Sequence, residues 1–244
     1  MKAPMIKVIK SLLLLTILLV SSCTSLSWNM LDPNFEAQNF PVREVRTVIF
    51  KDLLIPQSLG DALISEANLN LESQAGIRLK VIEWNQGDSS WILKSVFKIE
   101  AEMKQQLKDR NDYDIAIALT HQTPLGFLMS STVGWISGYT DDQYRRFIVL
   151  REKNPWILEH ELWHCFIFSH DHSWNGIMSP VGMRLLPLTP TIPIGGRHIT
   201  EKQRKEVLRN KWRDFTKPPR DEEGIEKAIT QSRIDWSRCI YINH

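Results

Sequence analysis

His160-Glu161-Leu162-Trp163-His164-Cys165-Phe166-Ile167-Phe168-Ser169-His170-Asp171 is the stretch on which the fold of this chain turns. Two histidines four positions apart on a helix project from the same side. Their imidazoles can then share one divalent cation, with Glu161 beside them to handle a cation-bound water. His170 follows six residues after His164, where a chain leaving the helix could return and supply a third nitrogen. Three protein ligands and an open position describe a catalytic zinc site, whereas a structural one closes with four.

The residues just upstream predict the helix itself. Asn154 is a good N-cap, and Pro155 fits the first turn. Trp156, Ile157, Leu158, Leu162, Trp163 and Phe166 make the helix apolar on most sides, so it should be buried. Two histidines and a glutamate inside such a helix are costly without a partner. A metal removes that cost.

This stretch resembles the metzincin family of zinc peptidases, whose pattern is His-Glu-x-x-His-x-x-Gly-x-x-His followed by a methionine-bearing turn under the metal. Gly176-Ile177-Met178-Ser179-Pro180 looks like that turn. The aspartate after the third histidine is similar to the snake-venom-type and snapalysin-type branches. The Met-x-Pro ending is closer to the matrix metalloprotease branch, so the resemblance assigns the clan and not a branch. The family glycine is Ile167 here. Either Ile167 is strained at positive φ, or the helix ends differently and the bend falls nearer Phe168-Ser169. His172 is the alternative to His170 as third ligand.

The resemblance implies an α+β metzincin-like (zincin) catalytic domain: a twisted mixed β-sheet, an active-site helix and a small C-terminal subdomain. It implies Zn2+ on His160, His164 and His170, Glu161 as general base and Met178 as an apolar floor. Asp171 would anchor the turn. Related enzymes bind substrate as an extra strand on the sheet edge, and residues 134–139 are the candidate edge. Leu185, Leu186, Leu188, Ile192 and Ile194 in the loop after Pro180 suggest an apolar substrate pocket.

The chain has 244 residues, 43% of them hydrophobic and 24% charged, with net charge +2. That is ordinary globular composition and gives no reason to expect nucleic acid as a partner. The first 22 residues read as a lipoprotein signal peptide. Lys2, Lys7 and Lys10 precede a short apolar run, and Leu19-Val20-Ser21-Ser22-Cys23 resembles a bacterial lipobox. Cys23 is then the lipidation site and membrane anchor; an ordinary secretory signal with an incidental cysteine is the alternative. The expected location is the bacterial cell envelope, on the outer or the cell membrane, facing periplasm or exterior. Outside the cytoplasm, Cys165 and Cys239 either pair or remain free buried thiols.

Residues 23–41 read as a tether and 42–244 as the catalytic domain, with an upper subdomain to about 170 and a lower one from about 171. Strands are expected at 45–50, 77–82, 114–119, 134–139 and 146–150. Helices are expected at 57–73, from Ser89-Ser90 to about 109, over the histidine motif, and from Thr200 to about 212. Lys202, Arg204, Lys205, Arg209, Lys211 and Arg213 load the last helix with charge, either as a solvated face or against acidic lipid headgroups. His121, His198 and His244 read as surface or packing residues, and Trp163 as core.

The expected activity is zinc-dependent endopeptidase on a peptide or protein substrate, by a monomer. The alternative is a catalytically degenerate zinc-binding recognition lipoprotein of the same fold. Glu161 argues against it, because holding a metal does not require a base.

Overall fold

The computed structural model describes residues 40–121, 138–169, 176–178, 182–183, 192–193 and 196–219. The signal segment, most of the tether, Cys23, His170, Asp171, His172, Cys239 and His244 lie outside the described residues.

Five strands form one sheet: β1 (Arg43–Lys51), β2 (Ile77–Gln86), β3 (Ile115–Leu119), β4 (Gly138–Thr140) and β5 (Phe147–Leu150). Their order is β2-β1-β3-β5-β4. The first four in that order run parallel, and β4 pairs antiparallel to β5 at the edge. The sheet is therefore mixed, as expected. The expected edge strand at 134–139 is realised as Gly138–Thr140, with 134–137 outside the described residues.

Side chains alternate between the two faces. Val45, Ile49, Ile115, Ile117, Ile148 and Leu150 join one core cluster. Val48, Phe50, Ala116, Ala118, Phe147 and Val149 join the other. All five residues of β3 are buried, which is the signature of a strand covered on both faces.

Helices α1 (Gln57–Ala75) and α3 (Pro155–His164) pack on the first face, and α2 (Val96–Gln106) on the second. Helix α4 (Glu201–Asn210) adds Val207 to the first cluster. Thr200 and Gln203 close a capping box at its start. Gly182–Met183 and Ile192–Pro193 pair antiparallel as β6 and β7, within the region read from sequence as lower subdomain.

One expected helix is broken. Instead of a single helix from Ser89, a 3-10 turn spans Ser89–Leu93 and α2 begins at Val96. Asp88, not Ser89 or Ser90, caps the turn by accepting from Ser90 N, and Ser95 caps α2 by accepting from Lys98 N. Trp91 is fully buried, and its indole Nε1 donates to Glu102 at 2.6 Å. Burying that ring turns the chain out of helical register, and Ser95 restarts it.

Candidate metal centre

Helix α3 leaves β5 and runs back across the first face of the sheet. Asn154 accepts from Trp156 N at 3.0 Å and Pro155 occupies the first turn. Leu158, Leu162 and Trp163 are fully buried. Glu159 is also fully buried and is held by Arg197 and by Asn70 Nδ2 at 3.0 Å. Because the apolar sides of α3 are locked in this way, its remaining side chains have fixed directions.

The two histidines of α3 meet. Their Nε2 atoms lie 3.1 Å apart and their rings stand at 80° to one another. Two nitrogens at about 2.0–2.1 Å from one tetrahedral zinc stand roughly 3.3 Å apart. The pair therefore has the spacing of two ligands to a common ion.

The tautomer is fixed from behind. His160 Nδ1 lies 2.7 Å from the carbonyl oxygen of Ile177. A carbonyl only accepts, so Nδ1 carries the hydrogen and the neutral ring presents its lone pair at Nε2. Ile177 N in turn donates to the carbonyl of His198 at 2.8 Å. That carbonyl is held in place by α1: Gln74 Nε2 donates to Arg197 O at 2.8 Å, and Gln74 Oε1 accepts from Ile199 N at 2.7 Å. A relay of backbone groups thus connects Gln74 to a histidine ring 86 positions further along the chain.

Gly176 sits where this relay is tightest. Its φ is +95°, and a Cβ there would stand 2.3 Å from His198 O. Met178, next to Ile177, is fully buried.

Glu161 lies beside His160 and is 7% exposed. Thr140 Oγ1, on the edge strand, donates to Glu161 Oε2 at 2.7 Å and lies 3.0 Å from the Glu161 carbonyl. Burial pushes the Glu161 carboxyl above the usual carboxylate range, while the His160 ring and the Thr140 hydroxyl pull it down. A buried carboxylate with a raised pKa is a better proton acceptor than a solvated one. Gly138 leaves it room: a Cβ there would lie 2.7 Å from both Glu161 Cγ and Oε1.

The exit from α3 answers the question that Ile167 posed. Ile167 is fully buried and does not adopt positive φ; among the described non-glycine residues only Arg145 does, at 51°. The α-helix ends at His164, and Cys165 continues in right-handed geometry. Ile167 N still donates to Trp163 O at 2.8 Å, so the turn simply runs on. The carbonyls that a left-handed cap would satisfy are taken by side chains from elsewhere. Arg145 Nη1 donates to His164 O at 3.2 Å and to Ile167 O at 2.5 Å. Arg213 Nη1 donates to Cys165 O at 2.8 Å, and Asn210 Nδ2 to Phe166 O at 2.8 Å. The left-handed residue has moved to the turn between β4 and β5, where Arg145 stands.

Of the residues singled out from sequence, the fold brings His160, Glu161, His164 and Met178 to one end of α3. Among the described residues no third side chain completes a group of three potential ligands; His170 and His172 lie outside them. Cys165 is a fully buried free thiol. His121 and His198 each have a buried Nδ1 atom with no hydrogen-bond partner among the described residues. Sequence reasoning missed Thr140, Gln74 and Arg145. Only Thr140 had a signal, as a polar residue next to the expected edge strand.

No protein-family model matches the chain, and no curated protein matches it. Among solved structures it is similar to an archaemetzincin from Methanopyrus kandleri, at TM-score 0.43 and 16% identity, over 70% of this chain and 97% of that one. It is also similar to a zinc-dependent peptidase from Methanocorpusculum labreanum, at TM-score 0.41 and 14% identity, over 66% and 99%. A chaperone–substrate complex scores 0.39 at 12% identity, over 83% of this chain and 36% of that one. At these scores the reading of the centre rests on its own residues.

Proposed function

We propose that this chain is a zinc-dependent endopeptidase, with His160, His164 and His170 as metal ligands and Glu161 as general base. The observation that carries the reading is the convergence of two histidine Nε2 atoms 3.1 Å apart beside a buried carboxylate. The donor set suits zinc: neutral imidazoles, one of them oriented by a backbone carbonyl behind it.

Zinc, when bound there, lowers the pKa of a water to about 7 and polarises a substrate carbonyl. Glu161 accepts the proton of the attacking water and returns it to the leaving amine. Thr140 fixes one oxygen of the carboxylate through the hydrogen bond from its Oγ1. Met178 floors the site. An extended peptide adds to β4, the edge strand among the described residues, where backbone hydrogen bonds align its scissile bond with Glu161. Acylation of Cys23 would hold the enzyme on the cell envelope as a monomer.

The test is metal analysis of the purified full chain together with a broad protein substrate. One zinc per chain is expected. Glu161→Gln should keep the zinc and lose cleavage by about 10²–10⁴-fold, and His164→Ala should lose both. A wild-type chain without stoichiometric zinc overturns the proposal. A Glu161→Gln variant that cleaves as wild type removes the catalytic role; a chain that binds zinc but cleaves nothing is instead a recognition protein.

A further inference from the structure

Helix α4 has two unlike faces. Gln203, Glu206 and Val207 are buried. Glu206 is spent inward: its Oε1 accepts from Phe168 N and Ser169 N at 2.6 and 2.9 Å, and its Oε2 from Ser169 Oγ at 2.7 Å. Lys202, Lys205 and Arg209 are exposed and, with Ser169 and Glu206, line an open recess. Spacings of three and four put these cations on one stripe. Glu201 pairs with Arg204 and lies 4.0 Å from Lys205, so its charge is already met. Lys211 keeps right-handed backbone at φ −51° and ψ −41°, which carries the stripe on to Trp212, 63% exposed. The chain from the N-terminal side enters at this end. Lys211 Nζ donates to Pro41 O and lies 5.9 Å from the centre of the Phe40 ring and 5.7 Å from that of Trp212. Val42, next along, is a second exposed hydrophobic residue. Sixteen residues, 24–39, lie between Cys23 and Phe40, a length that spans at most about 60 Å.

We propose that Lys202, Lys205, Arg209 and Trp212 form a docking surface for a bilayer with anionic phosphate headgroups, and that this surface sets how the domain stands on the membrane. The inference deepens the Cys23 anchoring proposed above and rests on it. Charge complementarity selects the partner: each Lys or Arg near an anionic membrane surface favours docking by about fivefold. An indole prefers the headgroup layer, where its ring meets apolar chains and its N–H stays wet. Three cations and one indole bind weakly from free solution. With an acyl anchor within reach, docking becomes intramolecular, at an effective concentration on the order of millimolar. An acidic protein could meet the same cations. Only a membrane also accounts for an exposed indole at the point where the chain from Cys23 arrives.

The experiment reads Trp212 on vesicles. The full chain is reconstituted into phosphatidylcholine vesicles with and without phosphatidylglycerol, with brominated acyl chains to quench nearby indoles. The difference between wild type and Trp212→Phe isolates this one ring. Trp212-dependent quenching is expected on the anionic vesicles and not on the neutral ones. It should vanish in roughly 1 M salt, where the Debye length is about 3 Å. Lys205→Ala combined with Arg209→Ala should lower docking by about 25-fold, fivefold for each cation. Absence of Trp212-dependent quenching, or equal quenching on neutral vesicles, overturns the inference. So does Trp212 emission that shifts with protein concentration in the absence of anionic lipid, which would make a second copy the occupant. Flotation keeps the two readings apart. A chain that floats with both vesicles but shows no Trp212 quenching leaves the anchor standing and removes the docking surface. A chain that does not float removes both.

Discussion

The carbonyl oxygen of Ile177 lies 2.7 Å from Nδ1 of His160, and it selects the ring nitrogen that faces His164. The turn that presents this carbonyl has no slack, because Gly176 combines a φ of +95° with a close approach to His198 O. Gly176→Ala must therefore move the turn. Backbone strain of about 1–3 kcal/mol is expected, together with zinc affinity weakened by tenfold or more. Chelator competition and thermal melting of the same protein check both parts.

Gln74 is the far end of the same relay, 1% exposed and hydrogen-bonded to the backbone on both sides of His198. Gln74→Leu keeps the volume and strands two backbone groups. Each unsatisfied buried group costs about 1–3 kcal/mol. A lower denaturation midpoint with a near-native slope is expected, and zinc affinity should fall with it because His198 O no longer holds Ile177. Unchanged metal affinity would show that the turn does not depend on α1.

Gly138 serves the carboxylate and not the histidines. A Cβ there would lie 2.7 Å from Glu161 Oε1 and 2.8 Å from Ile157 Cγ2. Gly138→Ala should push the carboxylate off its position while leaving zinc content at wild-type level. Displacement by about 1 Å can cost on the order of 10²-fold in rate. Steady-state kinetics should place the loss mainly in kcat, and metal analysis of the same sample supplies the control.

Glu159 faces away from the chemistry and anchors α3. It is fully buried, and Arg197 also reaches Glu66 on α1 at 2.7 Å. Burial pushes the Glu159 carboxyl up to about 7 against the pull of Arg197 and Asn70. Removing the partner leaves an uncompensated buried charge, at about 3–5 kcal/mol. Arg197 is 28% exposed, so Arg197→Ala belongs at the lower end of that range. Equilibrium denaturation measures it, and Arg197→Ala with Glu159→Gln should recover part of the loss.

The position of α3 was largely legible beforehand, whereas only residues 138 and 139 of the expected edge strand lie among the described residues. The β-rich run at β1, the alternating run at β2 and the continuous apolar run at β3 became strands, and Asn154-Pro155 starts the helix as its capping chemistry predicts. The helix expected from Ser89 was not legible as two pieces, because periodicity registers one apolar face and cannot register the burial of Trp91 that breaks it. At Ile167 the sequence offered strain or a displaced bend. The fold took neither in its simple form: side chains from the β4–β5 turn and from α4 onward cap the exit, and the positive φ falls on Arg145.

Sequence alone determined what repeats at short range: where most of the helices and strands lie, and that two histidines four apart share a helix face. Those follow from backbone periods of 3.6 and 2, which any local window contains. Tertiary structure decided the rest of the centre. The partner of His160 is 17 positions away, the acceptor for Phe168 N is 38 away and the side chain holding Ile199 N is 125 away. Such partners meet only after the core has closed, since buried polar groups find whichever neighbour packing delivers and no local pattern encodes it.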